Sequence, residues 1–225
     1  FYGAAEFSRD CDVVVLASDE NVGRLNAALA ELLASCIAVP PFERQYLERG
    51  HAVHFRCQHP EAKGIRLDVM TVLRGCDGFE SLWERRLTLQ DTDGTVYELL
   101  GIEDLVIAKK TQRDKDWPMI RRLVEAHYEE FQSNPTVDQV RFWLRESRTP
   151  DTLIRVAADH PEILREIIRT RPLLAEAMAA SCSALLQELR QEEKEERGKD
   201  EAYWRPLRRE LEKLRFDRGQ KRCKE

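Results

Sequence analysis

Residues 5–16 read Ala-Glu-Phe-Ser-Arg-Asp-Cys-Asp-Val-Val-Val-Leu, with two carboxylates one residue apart at the mouth of a β-branched apolar run. Valine suits a pleated, half-buried surface, so residues 12–16 read as a strand. Strand side chains alternate faces, which points Asp10 and Asp12 the same way, about 6.6 Å apart by Cα rise. Two such charges brought to about 4 Å repel by about 4 kcal/mol at an effective dielectric near 20. Water, basic side chains or a cation must offset that cost.

Working outward, Ser18-Asp19-Glu20 opens a helix whose apolar positions Val22, Leu25, Leu29, Leu32 and Leu33 fall at helical spacing, and Pro40-Pro41 closes the region. Residues 51–57 (HAVHFRC) and 65–72 (IRLDVMTV) read as two strands. The turn-rich segment between them predicts antiparallel pairing. Asp68 interrupts the second of these apolar strands, where an unpaired carboxylate is costly to bury. A helix over 78–86, a hairpin around the turn at 91–94, a helix over 105–111 and an amphipathic helix through Ile120, Leu123, Val124 and His127 follow. The expected fold class is therefore α/β (α+β), a mixed sheet flanked by helices over residues 1–131.

From Asn134 the sequence turns helical, and residues 134–225 are expected to form a separate all-helical domain. Pro150, Pro161 and Pro172 recur every eleven residues, each before an apolar-containing turn, as proline does at first helical positions. Residues 176–197 read as a longer helix that runs out into the charged, solvated stretch QEEKEERGKDE, and a separate helical periodicity resumes through Tyr203, Leu207, Leu211 and Leu214. Between Tyr203 and Lys224 nine Lys/Arg stand against three acids, a basic tail that could touch RNA, although a solvated helix face is the commoner meaning.

The net charge of −5 over 225 residues argues against a chain coated for nonspecific nucleic-acid binding. No apolar run nears the 18 or so residues of a membrane span, so no membrane partner is expected. The six cysteines are scattered without a C-x-x-C pair, which reads as reduced, mostly buried thiols in a cytoplasmic protein. His51 and His54, three apart on a strand, face opposite sides and cannot chelate one ion together.

Asp10, Asp12 and Asp68 have the chemistry of a magnesium site, because Mg²⁺ takes oxygen ligands and few protein carboxylates. Aspartates at such positions can converge on two ions roughly 3.5–4 Å apart, as two-metal phosphoryl transfer requires. Asp68, on a strand beside the first, could ligate one ion and accept the proton of an attacking hydroxyl.

Ser8-x-Asp10-x-Asp12 opening an apolar strand, followed by the Asp68 strand, resembles the DNA polymerase β-type nucleotidyltransferase superfamily. The likeness is closer to its small bacterial branch of minimal nucleotidyltransferases and abortive-infection toxins. That branch continues with a "DL-x-x-x-K … R-x-KD" helix pair, here Asp104-Leu105 to Lys109 and Arg113 to Lys115-Asp116. The resemblance implies transfer of a nucleoside monophosphate from ATP or another nucleoside triphosphate to a hydroxyl on RNA, protein or a small molecule. It implies two Mg²⁺ ions on Asp10, Asp12 and Asp68, with Ser8, Lys109 and Lys115 contacting the triphosphate. Asp116 is expected to hold Lys115 or Arg113 in place. The family's Gly-Gly or Gly-Ser turn, whose N–H groups cradle the phosphates, is a departure: it would fall upstream of Phe1 and is missing from these residues. A catalytically inactive binding or assembly module on the same fold is the alternative.

Overall fold

In the computed structural model, which describes Tyr2 and residues 10–222 (side chains to 220), the chain forms two compact units. One comprises residues 10–101 and 202–222; the other is Ile102–Glu201 with Tyr2. This division differs from the one drawn from composition at residues 131–134. The helices over 102–131 join the helical unit, and the last turns of the chain join the sheet unit.

The sheet unit carries the strands β1 (Asp10–Val14), β2 (Ser35–Cys36), β3 (Val53–Arg56) and β4 (Arg66–Met70) in the order β1-β4-β3-β2. β1 runs parallel to β4, and the other pairs are antiparallel, so the architecture is α+β with a mixed sheet. The pairing predicted for the strands around residues 51–57 and 65–72 is the one observed. α1 (Asp19–Glu31) starts where expected, with the Ser18 hydroxyl accepting the Asn21 N–H at 3.2 Å. A hairpin of β5 (Leu87–Gln90) and β6 (Val96–Leu99) forms a second small sheet.

Alternation along the strands sorts the four-stranded sheet into two faces. Val13, Val53, Phe55, Leu67 and Val69 turn to one side and pack with Leu25 and Leu29 of α1 and Leu47 of α2 (Arg44–Glu48). That apolar layer is the core of the unit. The same alternation sends the residues between them to the other face, and that face is polar.

The helical unit contains α4 (Ile102–Lys109), α5 (Asp116–Phe131), α6 (Val137–Glu146), α7 (Pro150–Asp159), α8 (Pro161–Ile167) and α9 (Leu174–Met178) around one large core; the helix over Phe79–Glu84 is α3. Pro150 and Pro161 do open helices, but Pro172 lies two residues ahead of α9. Buried Arg171 closes the end of α6, donating to the Leu144 and Ser147 carbonyls at 2.8 and 3.0 Å that the helix itself leaves unpaired.

The last helix corrects two expectations. α9 stops at Met178, Ala180 takes a left-handed φ of +52°, and α10 then runs without a break over Cys182–Arg222. The charged stretch expected to be solvated is instead fastened by polar contacts. Asp200 is buried and accepts the Gln112 N–H at 3.0 Å, and Arg197 donates to the Gln112 carbonyl and the Asp114 carboxylate at 2.8 Å. Gly198 and Pro206 are poor helix interior residues, and tertiary contacts on both sides of them override that propensity. The thiols differ from expectation too: of the five described, only Cys57 is buried, and Cys182, at the start of α10, is exposed rather than packed. No helix among the described residues is long and apolar enough to cross a membrane.

Candidate active site

The parallel register places Asp10 opposite Arg66 and Asp12 opposite Asp68. Residues paired across a ladder share a face, so all three aspartates stand on the polar side of the sheet. The antiparallel register of β3 then sets His54 opposite Asp68 and Arg56 opposite Arg66. Asp68 sits on an inner strand, not at an edge, and its side chain is only 13% exposed.

Arg66 offsets part of the charge on this face. Its guanidinium donates from Nε to Asp68 Oδ1 at 2.7 Å and from Nη2 to Asp68 Oδ2 at 2.8 Å, the bidentate fork that guanidinium and carboxylate geometry favours. The Asp68 carboxylate, with the charges of Asp10 and Asp12 beyond it, raises the Arg66 pKa further above its ordinary value. His54 Nδ1 lies 2.8 Å from Asp68 Oδ1 and 3.1 Å from Arg66 Nη2. Arg66 Nη2 has a second hydrogen to give to a bare Nδ1, whereas a proton on Nδ1 would make His54 the donor to Asp68; the tautomer of the ring decides which of the two forms.

The sequence reading missed Arg66 and His54. Arg66 shares the face of Asp68 by alternation within one strand, but that its guanidinium folds onto that carboxylate is not written there, and His54 is placed only by the register between two strands.

The donor chemistry suits magnesium, being oxygen-only and carried by Asp10 and Asp12 on an exposed strand with Asp68 alongside. The side chains are arranged more narrowly than the sequence reading had it. Both oxygens of Asp68 are committed to Arg66, and among the described residues no group of three His, Cys, Asp or Glu stands close enough to hold a metal ion. Asp10 and Asp12 share one face of that exposed strand, and Asp68 beside them is held by Arg66.

The remaining sequence candidates fall elsewhere. Ser8, with Gly3 and Glu6, lies outside the described residues. Lys109 is in the last turn of α4 and Lys115 is the exposed residue before α5, both in the helical unit. Their neighbour Lys110 is ion-paired, 2.6 Å from Glu146. Asp116 has the structural role expected of it: it is buried, and its Oδ2 accepts from Arg113 Nε at 2.7 Å and from the Thr111 hydroxyl. Its Oδ1 is buried without a partner.

The helical unit also has a cleft of about 390 Å³ lined by Trp117, Arg121, Arg148, Arg190 and Arg197. Most of its cations are already engaged, Arg148 by Glu192 and Arg197 by Glu193 and Asp114.

No family model, curated protein or solved structure matches the chain.

Proposed function

We propose that the chain is a metal-dependent nucleotidyltransferase that moves a nucleoside monophosphate from a nucleoside triphosphate to a hydroxyl acceptor. The observation that carries the reading is the parallel β1–β4 register, which sets Asp68 opposite Asp12 and puts three carboxylates on one sheet face. A soluble domain gains nothing in stability from three acids on adjacent strand positions. Arg66 offsets the charge of Asp68, and a ligand that is itself cationic or brings cations would offset the rest.

In this reading Asp10 and Asp12 hold Mg²⁺, which when bound neutralises triphosphate charge that the carboxylates would otherwise repel. The acceptor hydroxyl attacks the α-phosphorus; the new P–O bond forms as the bond to the β-phosphate bridge breaks, and pyrophosphate leaves. Asp68 takes the hydroxyl proton. Arg66, bonded to both Asp68 oxygens, fixes the orientation of that carboxylate and offsets its charge before nucleotide arrives. His54, on the neighbouring strand, lies 2.8 Å from the same carboxylate.

A second reading, a nucleotidyltransferase-like module without catalysis, is favoured by one observation: both oxygens of Asp68 accept from Arg66. The two are separated by incubating the protein with magnesium and ATP labelled at either the α- or the γ-phosphorus. Transfer of the α-label, but not the γ-label, to an acceptor or to the protein itself supports the transferase. Transfer of the γ-label alone would mark a kinase and end the reading; magnesium-dependent ATP binding without transfer of either label would leave the module.

A further inference from the structure

Beyond the carboxylate face, the sheet unit presents a second charged surface, on the last turns of α10. At about 100° per residue, Arg205, Arg208, Arg209, Lys213 and Arg215 fall within an arc of about 160° over an axial length of about 16 Å. All five are exposed. Among the described residues none of them has an ion-pair partner, whereas Arg66, Arg148, Arg171 and Arg197, which are partly or fully buried, are all paired. Glu212 is the one acid within the arc between residues 205 and 216. Near the centre of the arc stands Phe216, 65% exposed.

The direction of this face is set by packing on the other side of the helix. Leu207 is buried there, and the Tyr203 hydroxyl closes on Gly50. Glu210 accepts from His51 Nε2 at 2.8 Å and pairs with Arg49, contacts that hold its carboxyl below the ordinary glutamate range. The helix cannot turn its cations inward without breaking that clamp.

We infer that this face docks single-stranded RNA, with the five cations tracking phosphates and Phe216 stacking on a base. Unpaired cations around one exposed aromatic ring are the combination that single strands use, since every base offers a π-face and every linkage a charge. An anionic membrane is the poorer fit, because a surface-lying helix puts a continuous apolar stripe outward, whereas here Leu207, Leu211 and Leu214 lie opposite the cations. The choice of RNA rests on the transferase reading, in which a strand end supplies the acceptor hydroxyl; the phosphate docking does not depend on it.

The test is fluorescence anisotropy of a labelled, unstructured RNA 20-mer with the full chain across a salt series. Five phosphate contacts predict a slope of log K on log salt near −3.5, or roughly a hundred-fold loss between 50 and 200 mM. The variant R205Q/R208Q/R209Q should flatten the slope by about 2 units. Phe216→Ser should weaken binding on the order of ten-fold and leave the slope unchanged. Both variants alter exposed side chains, and unchanged thermal melts confirm their folding. The D10N/D12N protein should bind RNA as the wild type does, which separates this inference from the transferase reading. A salt-independent affinity, an unaltered slope in the triple variant, tighter binding to phosphatidylserine vesicles than to RNA, or tighter binding to the deoxy strand would each overturn it.

Discussion

Replacing Arg66 with Met strips the carboxylate face of its resident cation while keeping the reach of the side chain. The variant loses the two bonds to Asp68, at 2.7 and 2.8 Å. A hydrogen bond to a charged group contributes about 1.5–3 kcal/mol. Arg66 is 36% exposed, so solvent screening reduces the loss to about 1–2 kcal/mol. Asp10, Asp12 and Asp68 then face one another without the guanidinium, which adds roughly 1 kcal/mol at low ionic strength. The total of about 2–3 kcal/mol should lower the unfolding midpoint of the sheet unit by roughly 6–12 °C. The assay is a pair of circular-dichroism melts, one with EDTA and one with millimolar magnesium chloride. Magnesium should restore more of the midpoint in the variant than it adds to the wild type, because Asp68 is released to share it with Asp10 and Asp12. A variant that melts with the wild type in EDTA refutes the counter-charge role of Arg66. One that melts low and ignores magnesium refutes the claim that these aspartates can share a divalent ion.

Gly50 has φ +94°, and a Cβ there would lie 2.9 Å from the Tyr203 hydroxyl. Left-handed backbone costs an L-residue about 1–2 kcal/mol, so with the added contact Gly50→Ala should destabilise by about 2–3 kcal/mol. Tyr203→Phe in that background should recover the contact share, since the next atom, Leu207 Cδ1, is at 3.8 Å. A double-mutant cycle over urea melts measures it, and zero coupling removes the argument. His127 accepts the Trp143 indole N–H on Nδ1 at 2.9 Å, and burial lowers its pKa. Its native state thus binds fewer protons than its unfolded state. Stability of the helical unit should be full above a pH of about 6.5 and fall as the pH drops through the lowered pKa. His127→Gln keeps an acceptor and should abolish that acid-side slope; an identical slope in the variant would assign it to another group.

The mixed sheet and the carboxylate face were legible because strand periodicity is strict: an aspartate in IRLDVM and a pair at Asp10 and Asp12 can only lie on defined faces. Which residues would neutralise them was not legible. Arg66 and His54 meet Asp68 through one neighbouring position and one cross-strand pairing, and pairing register comes from the packed sheet, not from either strand. The continuity of α10 was hidden for a related reason. Its middle has no apolar stripe, so periodicity predicts solvent, while Asp200 and Arg197 hold it by hydrogen bonds to Gln112 and Asp114, residues more than eighty positions away. Periodicity reads apolar burial and is blind to polar fastening.

The central claim, that Asp10 and Asp12 together make a divalent-metal and nucleotide site, is tested most directly by calorimetric titration of magnesium ATP into the wild type and D10N/D12N. The account predicts magnesium-dependent binding to the wild type, none to the variant, and superimposable melts for the two proteins. Equal binding by both would contradict it.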